Sequence, residues 1–166
     1  MLIETKRLRL VPLRHEDLQR AVRNKSRMAD AIGLKCGVGL MDERMRSVYG
    51  IKAGKMTRDP ENWLLYTYWQ IVIRESGEIA GEVGLKGPPQ NGKAEIGYGL
   101  EPEYRGNGYM AEAVRAFTAW ALEDGRGIKT VIAQTDSCNE ASRRVLERAG
   151  MAVFQRDRQS VWYQTV

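Results

Sequence analysis

Between Ala94 and Leu122 the hydrophobic period changes from two residues to 3.6, and a glycine-bearing loop lies at the change. Ala94 to Leu100 reads as a strand. From Gly108 to Leu122 the apolar positions Met110, Val114, Phe117 and Ala121 step by 4, 3 and 4, which places them on one helical face. A strand that feeds into a helix through Arg105-Gly106-Asn107-Gly108-Tyr109-Met110 leaves the first helical amides without partners, at the end where the dipole places about +0.5 charge. Gly106 and Gly108 allow close approach to the backbone, so successive free amides form a nest suited to a phosphate. The spacing is not a dinucleotide fingerprint, because G-x-G-x-x-G is absent, and it is not a Walker A loop, because no Gly-Lys-Ser/Thr follows. Taken alone, the segment is equally a plain loop with two flexible glycines.

The rest of the chain alternates sheet-like and helix-like patterns. Arg7 to Val11 reads as a strand closed by Pro12. His15 to Ala29 reads as one amphipathic helix and Asp42 to Met56 as a second, with Gly33, Gly37 and Gly39 breaking the pattern between them. Trp63 to Arg74, rich in aromatic and β-branched residues, reads as a strand with Trp63 and Trp69 on one face. The Glu75-Ser76-Gly77-Glu78 turn leads into Ile79 to Leu85, and the loop Gly87 to Gly92 into Ala94 to Leu100, giving an antiparallel meander. After the long helix come a strand from Thr130 to Gln134, a helix from Asn139 to Ala149 stopped by Gly150, and strands Ala152 to Arg156 and Ser160 to Thr165. The expected fold is mixed α/β: one domain over residues 1–166, with a central, mostly antiparallel sheet of about six to seven strands and about four helices packed on it.

Composition narrows the function classes. The chain has 166 residues, 43% of them apolar, and no apolar run approaches the roughly 18 residues of a membrane span. With acids and bases in MLIETKRLRL and no apolar leader, a cytoplasmic protein is expected. Cys36, Cys138 and the single His15 make neither a disulfide framework nor a metal-ligand cluster, so no metal is expected. Net charge is +5, from 26 Lys and Arg against 21 Asp and Glu. Neither C2H2 spacing nor an RNP-type motif is present, so nucleic acid is not the expected partner, and an anionic small molecule accounts for a positive patch equally well.

The Arg105 to Met110 segment resembles the Arg/Gln-x-x-Gly-x-Gly/Ala loop of GNAT-type N-acetyltransferases. Leu8-Arg9-Leu10, Ala94-Glu95-Ile96-Gly97-Tyr98 and the run Asn139 to Met151 resemble the RimJ/RimL branch. The resemblance covers nearly the whole chain in order, although Ala31 to Asn62 carries no recognisable signature. It implies acetyl-CoA bound where two parallel strands splay apart, here the strand ending at Leu100 and the strand from Thr130 to Gln134. Backbone groups of Tyr98, Gly99 and Leu100 would then meet the pantetheine arm. The amides of Arg105, Gly106, Asn107, Gly108, Tyr109 and Met110 would hold the pyrophosphate, and Asn139 and Ser142 would also face the cofactor. Met110 departs from the family pattern, which has Gly or Ala there, and raises the expectation of a side chain crowding the loop.

Acetyl transfer to an amine requires the amine to be neutral. A lysine amine with a pKa of ~10.4 is neutral at about the 0.04% level at pH 7, whereas an α-amino group near ~7.7 to 8.0 is neutral at roughly the 10% level. A protein N-terminal α-amino group therefore asks less of a base, and a small-molecule amine is the alternative acceptor. Several relatives keep a catalytic glutamate on the strand occupied here by Glu95, which makes Glu95 the favoured base, unless it simply alternates with Ile96 on the strand. Glu82, on the preceding strand between Gly81 and Val83, is the second candidate, unless it is simply a carboxylate facing solvent. Many relatives use a Tyr to protonate the leaving thiolate at the position of Leu146, so Ser142 is the substitute candidate. Cys138 has no His nearby in sequence, which argues against an acyl-cysteine route. Leu146 and Met110 together leave open a CoA-binding regulatory or interaction module with little turnover. A homodimer is also open, with Val161 to Thr165 as a strand able to pair across an interface.

Overall fold

The computed structural model describes residues 1–37 and 41–166, so Gly39 lies outside the described residues. In chain order the elements are β1 (Ile3–Glu4), β2 (Leu8–Pro12), α1 (His15–Arg23), α2 (Lys25–Ala31), α3 (Glu43–Arg58), α4 (Trp63–Tyr66), β3 (Trp69–Ile73), β4 (Ile79–Leu85), β5 (Lys93–Leu100), α5 (Tyr109–Ala121), β6 (Thr130–Asp136), α6 (Glu140–Arg148), β7 (Ala152–Arg156) and β8 (Ser160–Gln164). Short 3-10 turns occupy Pro60–Asn62 and Pro102–Tyr104. The strands form one sheet in the order β1-β2-β3-β4-β5-β6-β8-β7, and every pairing is antiparallel except β5 with β6. This is the expected mixed α/β class, with eight strands and six α-helices among the described residues where fewer of each were expected.

Three local differences have physical causes. The single helix expected from His15 to Ala29 breaks at Asn24, whose extended backbone (φ −164°, ψ 109°) lets its side chain accept from the Arg27 amide and start α2. The aromatic run from Trp63 is not strand throughout. Pro60 opens a 3-10 turn that runs into α4, and the strand begins only at Trp69. Trp63 and Trp69 consequently pack in different clusters on opposite sides of the sheet. Finally, β8 lies between β6 and β7 with both edges bonded, so it offers no free edge for the dimer strand that its sequence suggested.

The sheet separates two apolar layers. On one side Trp69, Phe117 and Trp120 cluster with Leu8, Leu10, Val83, Ile96, Val114 and Leu146, so that α5 and α6 pack there. Ring centroids of Trp69 and Trp120 lie 4.7 Å apart, and those of Trp69 and Phe117 5.9 Å apart in an edge-on arrangement. On the other side Leu13, Leu18, Met28, Tyr49, Met56 and Val72 hold α1, α2 and α3 against β3 and the start of β4. No described helix is long and apolar enough to cross a membrane.

Candidate active site

The cleft begins where β5 and β6 stop pairing. They are in register only from Lys93–Glu95 against Thr130–Ile132, although both strands continue beyond. The β4–β5 ladder determines which groups the separation leaves free. Lys86 N donates to Glu95 O at 2.8 Å and Glu101 N to Ala80 O at 2.9 Å, at the two ends of a continuous antiparallel register. Alternation along such a ladder turns the backbone of Glu95, Gly97, Gly99 and Glu101 toward β4, and that of Ile96, Tyr98 and Leu100 toward the gap. The same alternation puts the side chains of Ile96, Tyr98 and Leu100 on the α5 and α6 side. Glu82, Glu95 and the two glycines face the α3 side. The gap opens into a cavity of about 490 Å³ bounded by β5, β6, the start of α6 and the first turn of α3.

At its C-terminal end β5 runs through a 3-10 turn into the loop predicted from the sequence. Gly106 (φ +80°) and Gly108 (φ +76°) take left-handed conformations, and Gly108 caps α5 without any side-chain hydrogen bond. Among the described residues the amides from Gly106 to Met110 find no acceptor in the protein, and a Cβ at Gly106 would meet nothing within 4 Å. Uncapped amides at a helix start, in continuity with a free strand edge, fit an elongated ligand with a diphosphate at one end. Arg105 folds back so that its Nε and Nη2 each donate to Leu100 O at 3.3 Å, and Asn107 donates to the carbonyls of Tyr104 and Arg105. Met110 is 4% exposed and packs in the core beneath α5, so it does not crowd the loop as its sequence position suggested. Its helical step to Val114 turns it inward.

The two candidate carboxylates have different surroundings. Glu95 pairs with Lys86 at 2.5 Å on a half-open surface and is not part of the cavity wall. Glu82 lines the cavity and accepts a hydrogen bond from the Tyr49 hydroxyl. Tyr49 in turn accepts from Gln70 Nε2 at 3.1 Å, and both Tyr49 and Gln70 are fully buried. Burial, followed by the nearby Glu82 charge, pushes the Tyr49 hydroxyl well up, so it stays a donor. Beside this chain, Lys52 donates to Leu85 O at 2.6 Å and Tyr66 O at 3.0 Å, with its ammonium 4.3 Å from the Tyr68 ring centroid. Burial and then the Lys55 charge hold the Lys52 amine down to about 8, against an opposing pull from Glu82. No local pattern signals this arrangement, because Tyr49, Lys52 and Gln70 come from α3 and β3, far apart in the chain.

On the opposite face of the gap, Asn139 caps α6 by accepting from the Ser142 amide at 3.0 Å, and the Ser142 hydroxyl lies 2.8 Å from that of Tyr98. Burial pushes the Tyr98 phenol up to about 12, partly offset by Ser142, so it remains protonated through neutral pH. Leu146 is fully buried in the core and takes no part in the cleft. Cys138 is exposed and does not line the cavity. Among the described residues no group of three or more His, Cys, Asp or Glu is placed to hold a metal.

Comparison with known proteins agrees with this geometry. Residues 7–152 match the family model described as Acetyltransferase (GNAT) domain. The Bacillus subtilis (strain 168) protein YkkB is 28% identical over 144 residues, covering 75% of this chain and 83% of its own length. Among solved structures, RimL, the ribosomal L7/L12 alpha-N-protein acetyltransferase in complex with coenzyme A, superposes with a TM-score of 0.71 at 14% identity, covering 100% of this chain and 98% of its own. The ribosomal-protein-S5-alanine acetyltransferase from Vibrio fischeri gives 0.70 at 16% identity, with 100% and 96% covered.

Proposed function

The chain belongs to the GNAT acetyltransferase family, and we propose that its acetyl-CoA-dependent transfer goes to a primary amine, with the α-amino group of a protein N-terminus as acceptor. The observation that carries the reading is the continuity of the site: a strand edge freed at Tyr98 and at the Leu100 amide leads, through the Pro102–Tyr104 turn, to the uncapped amides from Gly106 to Met110. RimL and the Vibrio fischeri ribosomal-protein-S5-alanine acetyltransferase share the fold over the whole chain, which supports the choice of acceptor.

Acetyl-CoA supplies the activated acetyl thioester. The Tyr98 and Leu100 backbone holds its arm along β5, and the Gly106 to Met110 amides hold its diphosphate. The amine enters from the α3 side, where Glu82 takes its proton directly or through one water, and Tyr49 keeps the carboxylate aimed into the cavity. Since an α-amino group is already neutral at roughly the 10% level at pH 7, one carboxylate is enough. On the opposite face the Tyr98–Ser142 hydroxyl pair returns a proton to the departing sulfur. Met110 in the core removes one ground for a non-catalytic CoA-binding module.

The test is a panel of acceptors with acetyl-CoA: peptides with free Ser or Ala N-termini, the same peptides α-blocked but carrying an internal Lys, spermidine, and an aminoglycoside. The expected result is a kcat/KM for the free N-termini at least tenfold above every other amine, and a drop of about 10²- to 10⁴-fold in Glu82→Gln. Equal or better turnover of the small amines would move the acceptor to that class. A full-activity Glu82→Gln beside an inactive Glu95→Gln would return the base to Glu95.

A further inference from the structure

We propose that Arg7 is the positioning residue that gives the Arg105 to Met110 loop its anion-binding shape, acting from behind through the Asn107–Gly108 peptide. The proposal rests on the reading of that loop as the diphosphate site. Arg7 lies just ahead of β2, and its Nη1 donates to Asn107 O at 2.8 Å across one hundred residues of sequence. Its Nε donates to Glu112 Oε2 at 2.7 Å and its amide to Glu112 Oε1 at 3.0 Å, while the Thr5 hydroxyl donates to the same Oε1 at 2.6 Å. The guanidinium carbon lies 4.8 Å from the Tyr109 ring centroid. Glu112 is on the first turn of α5, so the clasp ties the β1–β2 connection to both the loop and the helix it opens. Burial would raise the Glu112 carboxyl, but the bonds from Thr5 and from the Arg7 amide and guanidinium outweigh it and hold the group below its ordinary value.

The geometry of the peptide unit makes this contact matter for binding. The Asn107–Gly108 peptide bond is trans, so the carbonyl of Asn107 and the N–H of Gly108 point in opposite directions. Holding the carbonyl on Arg7 therefore turns the Gly108 N–H away from the clasp, and that N–H is one of the loop amides without an acceptor. Gly108 is free to take either sign of φ, so nothing in its own sterics prevents that peptide from turning over and presenting its carbonyl to a phosphate. Arg7 supplies the constraint that the glycine lacks. Its charge is matched by Glu112, and its Nε and Nη1 are engaged on Glu112 and on Asn107 O, while its Nη2 lies 3.5 Å from where a Cβ on Gly108 would stand; the positioning role is the part that the ligand-free exchange of the loop amides reads.

The experiment compares wild type, Arg7→Gln and Glu112→Gln by calorimetric titration with CoA and with pantetheine, by amide exchange of the ligand-free loop, and by steady-state kinetics. Wild type is expected to bind CoA far more tightly than pantetheine. Arg7→Gln should lose about 10- to 100-fold in CoA affinity with pantetheine affinity unchanged. Its KM for acetyl-CoA should rise by a similar factor with a much smaller change in kcat, and the amides of Gly106 to Met110 should exchange faster. If Arg7→Gln does not fold, Glu112→Gln carries the test, since it keeps an acceptor for Thr5 and the Arg7 amide and removes only the partner of Nε; CoA affinity should again fall alone. Equal losses for CoA and pantetheine, or no loss for either, overturn the role of Arg7. A wild type that does not distinguish CoA from pantetheine overturns the loop reading itself, and the proposal with it.

Discussion

Gly81 holds β4 and β5 together at the lip of the cleft, and Gly81→Ala is the substitution whose consequence the structure defines most sharply. A Cβ there would stand 2.1 Å from Gly99 O, 2.9 Å from Leu100 Cα and 3.0 Å from Gly99 C, all backbone atoms. Even a close carbon–oxygen contact needs about 3.3 Å, so the strands must part by roughly 1 Å between the ladder bonds that flank the site. Overpacking of this kind costs about 1–3 kcal/mol, and straining a flanking ladder bond adds about 1 kcal/mol. The stiffer unfolded chain returns about 0.4–1 kcal/mol. A net loss of about 1–3.5 kcal/mol corresponds to a fall in Tm of roughly 2–14 °C for a domain of this size. The control is Gly99→Ala, directly across the ladder from Glu82, where a new Cβ meets nothing within 4 Å and stability should stay within about 0.5 kcal/mol of wild type. Thermal and urea unfolding of both variants, with KM for acetyl-CoA, make the assay. The KM of Gly81→Ala should rise, because the displaced segment carries the Tyr98 and Leu100 edge. If Gly81→Ala melts with wild type, or Gly99→Ala falls as far, the β4–β5 register described above is refuted.

Lys52→Met tests the buried amine beneath the cleft. Its folded pKa of about 8 lies below the ordinary 10.5, so between those values the unfolded chain holds a proton that the folded chain does not, and stability should rise with pH by up to about 1.4 kcal/mol per unit. Urea midpoints from pH 7.5 to 10 should show this slope in wild type and not in Lys52→Met, and parallel curves would contradict it. Tyr98→Phe should lower kcat about 10²-fold with acetyl-CoA affinity largely kept, since it removes the phenol that is protonated through neutral pH; an unchanged kcat would remove Tyr98 from proton return to the sulfur.

What the sequence made legible was local. The loop and α5 follow from one change of period and two glycines, and the β3–β4–β5 meander follows from alternation and turn residues close in sequence. The same helical arithmetic that put Met110 with Val114 and Phe117 on one face already implied a buried side chain, and outweighed the family pattern that suggested crowding. Two errors had readable signals: Asn24 is a strong capping residue inside an otherwise continuous helical pattern, and Pro60 favours a helical start ahead of the aromatic run. Aromatic β-propensity misled there because α4 owes its shape to packing against α3 and the sheet. The site's supporting contacts were out of reach in principle. Tyr49 and Glu82 are 33 residues apart and Arg7 and Asn107 one hundred, and only the sheet order brings them together.

Acetyl-CoA lying along the freed edge of β5 and ending on the start of α5 would leave its mark residue by residue, and amide exchange with and without acetyl-CoA reads that mark. Exchange should slow at Tyr98, Leu100 and Gly106 to Met110, with little change at Gly97 and Gly99, whose backbones are already turned to β4. Protection that ignores this alternation, or that falls on the outer surface of α5 around Arg115 and Arg148, would contradict it.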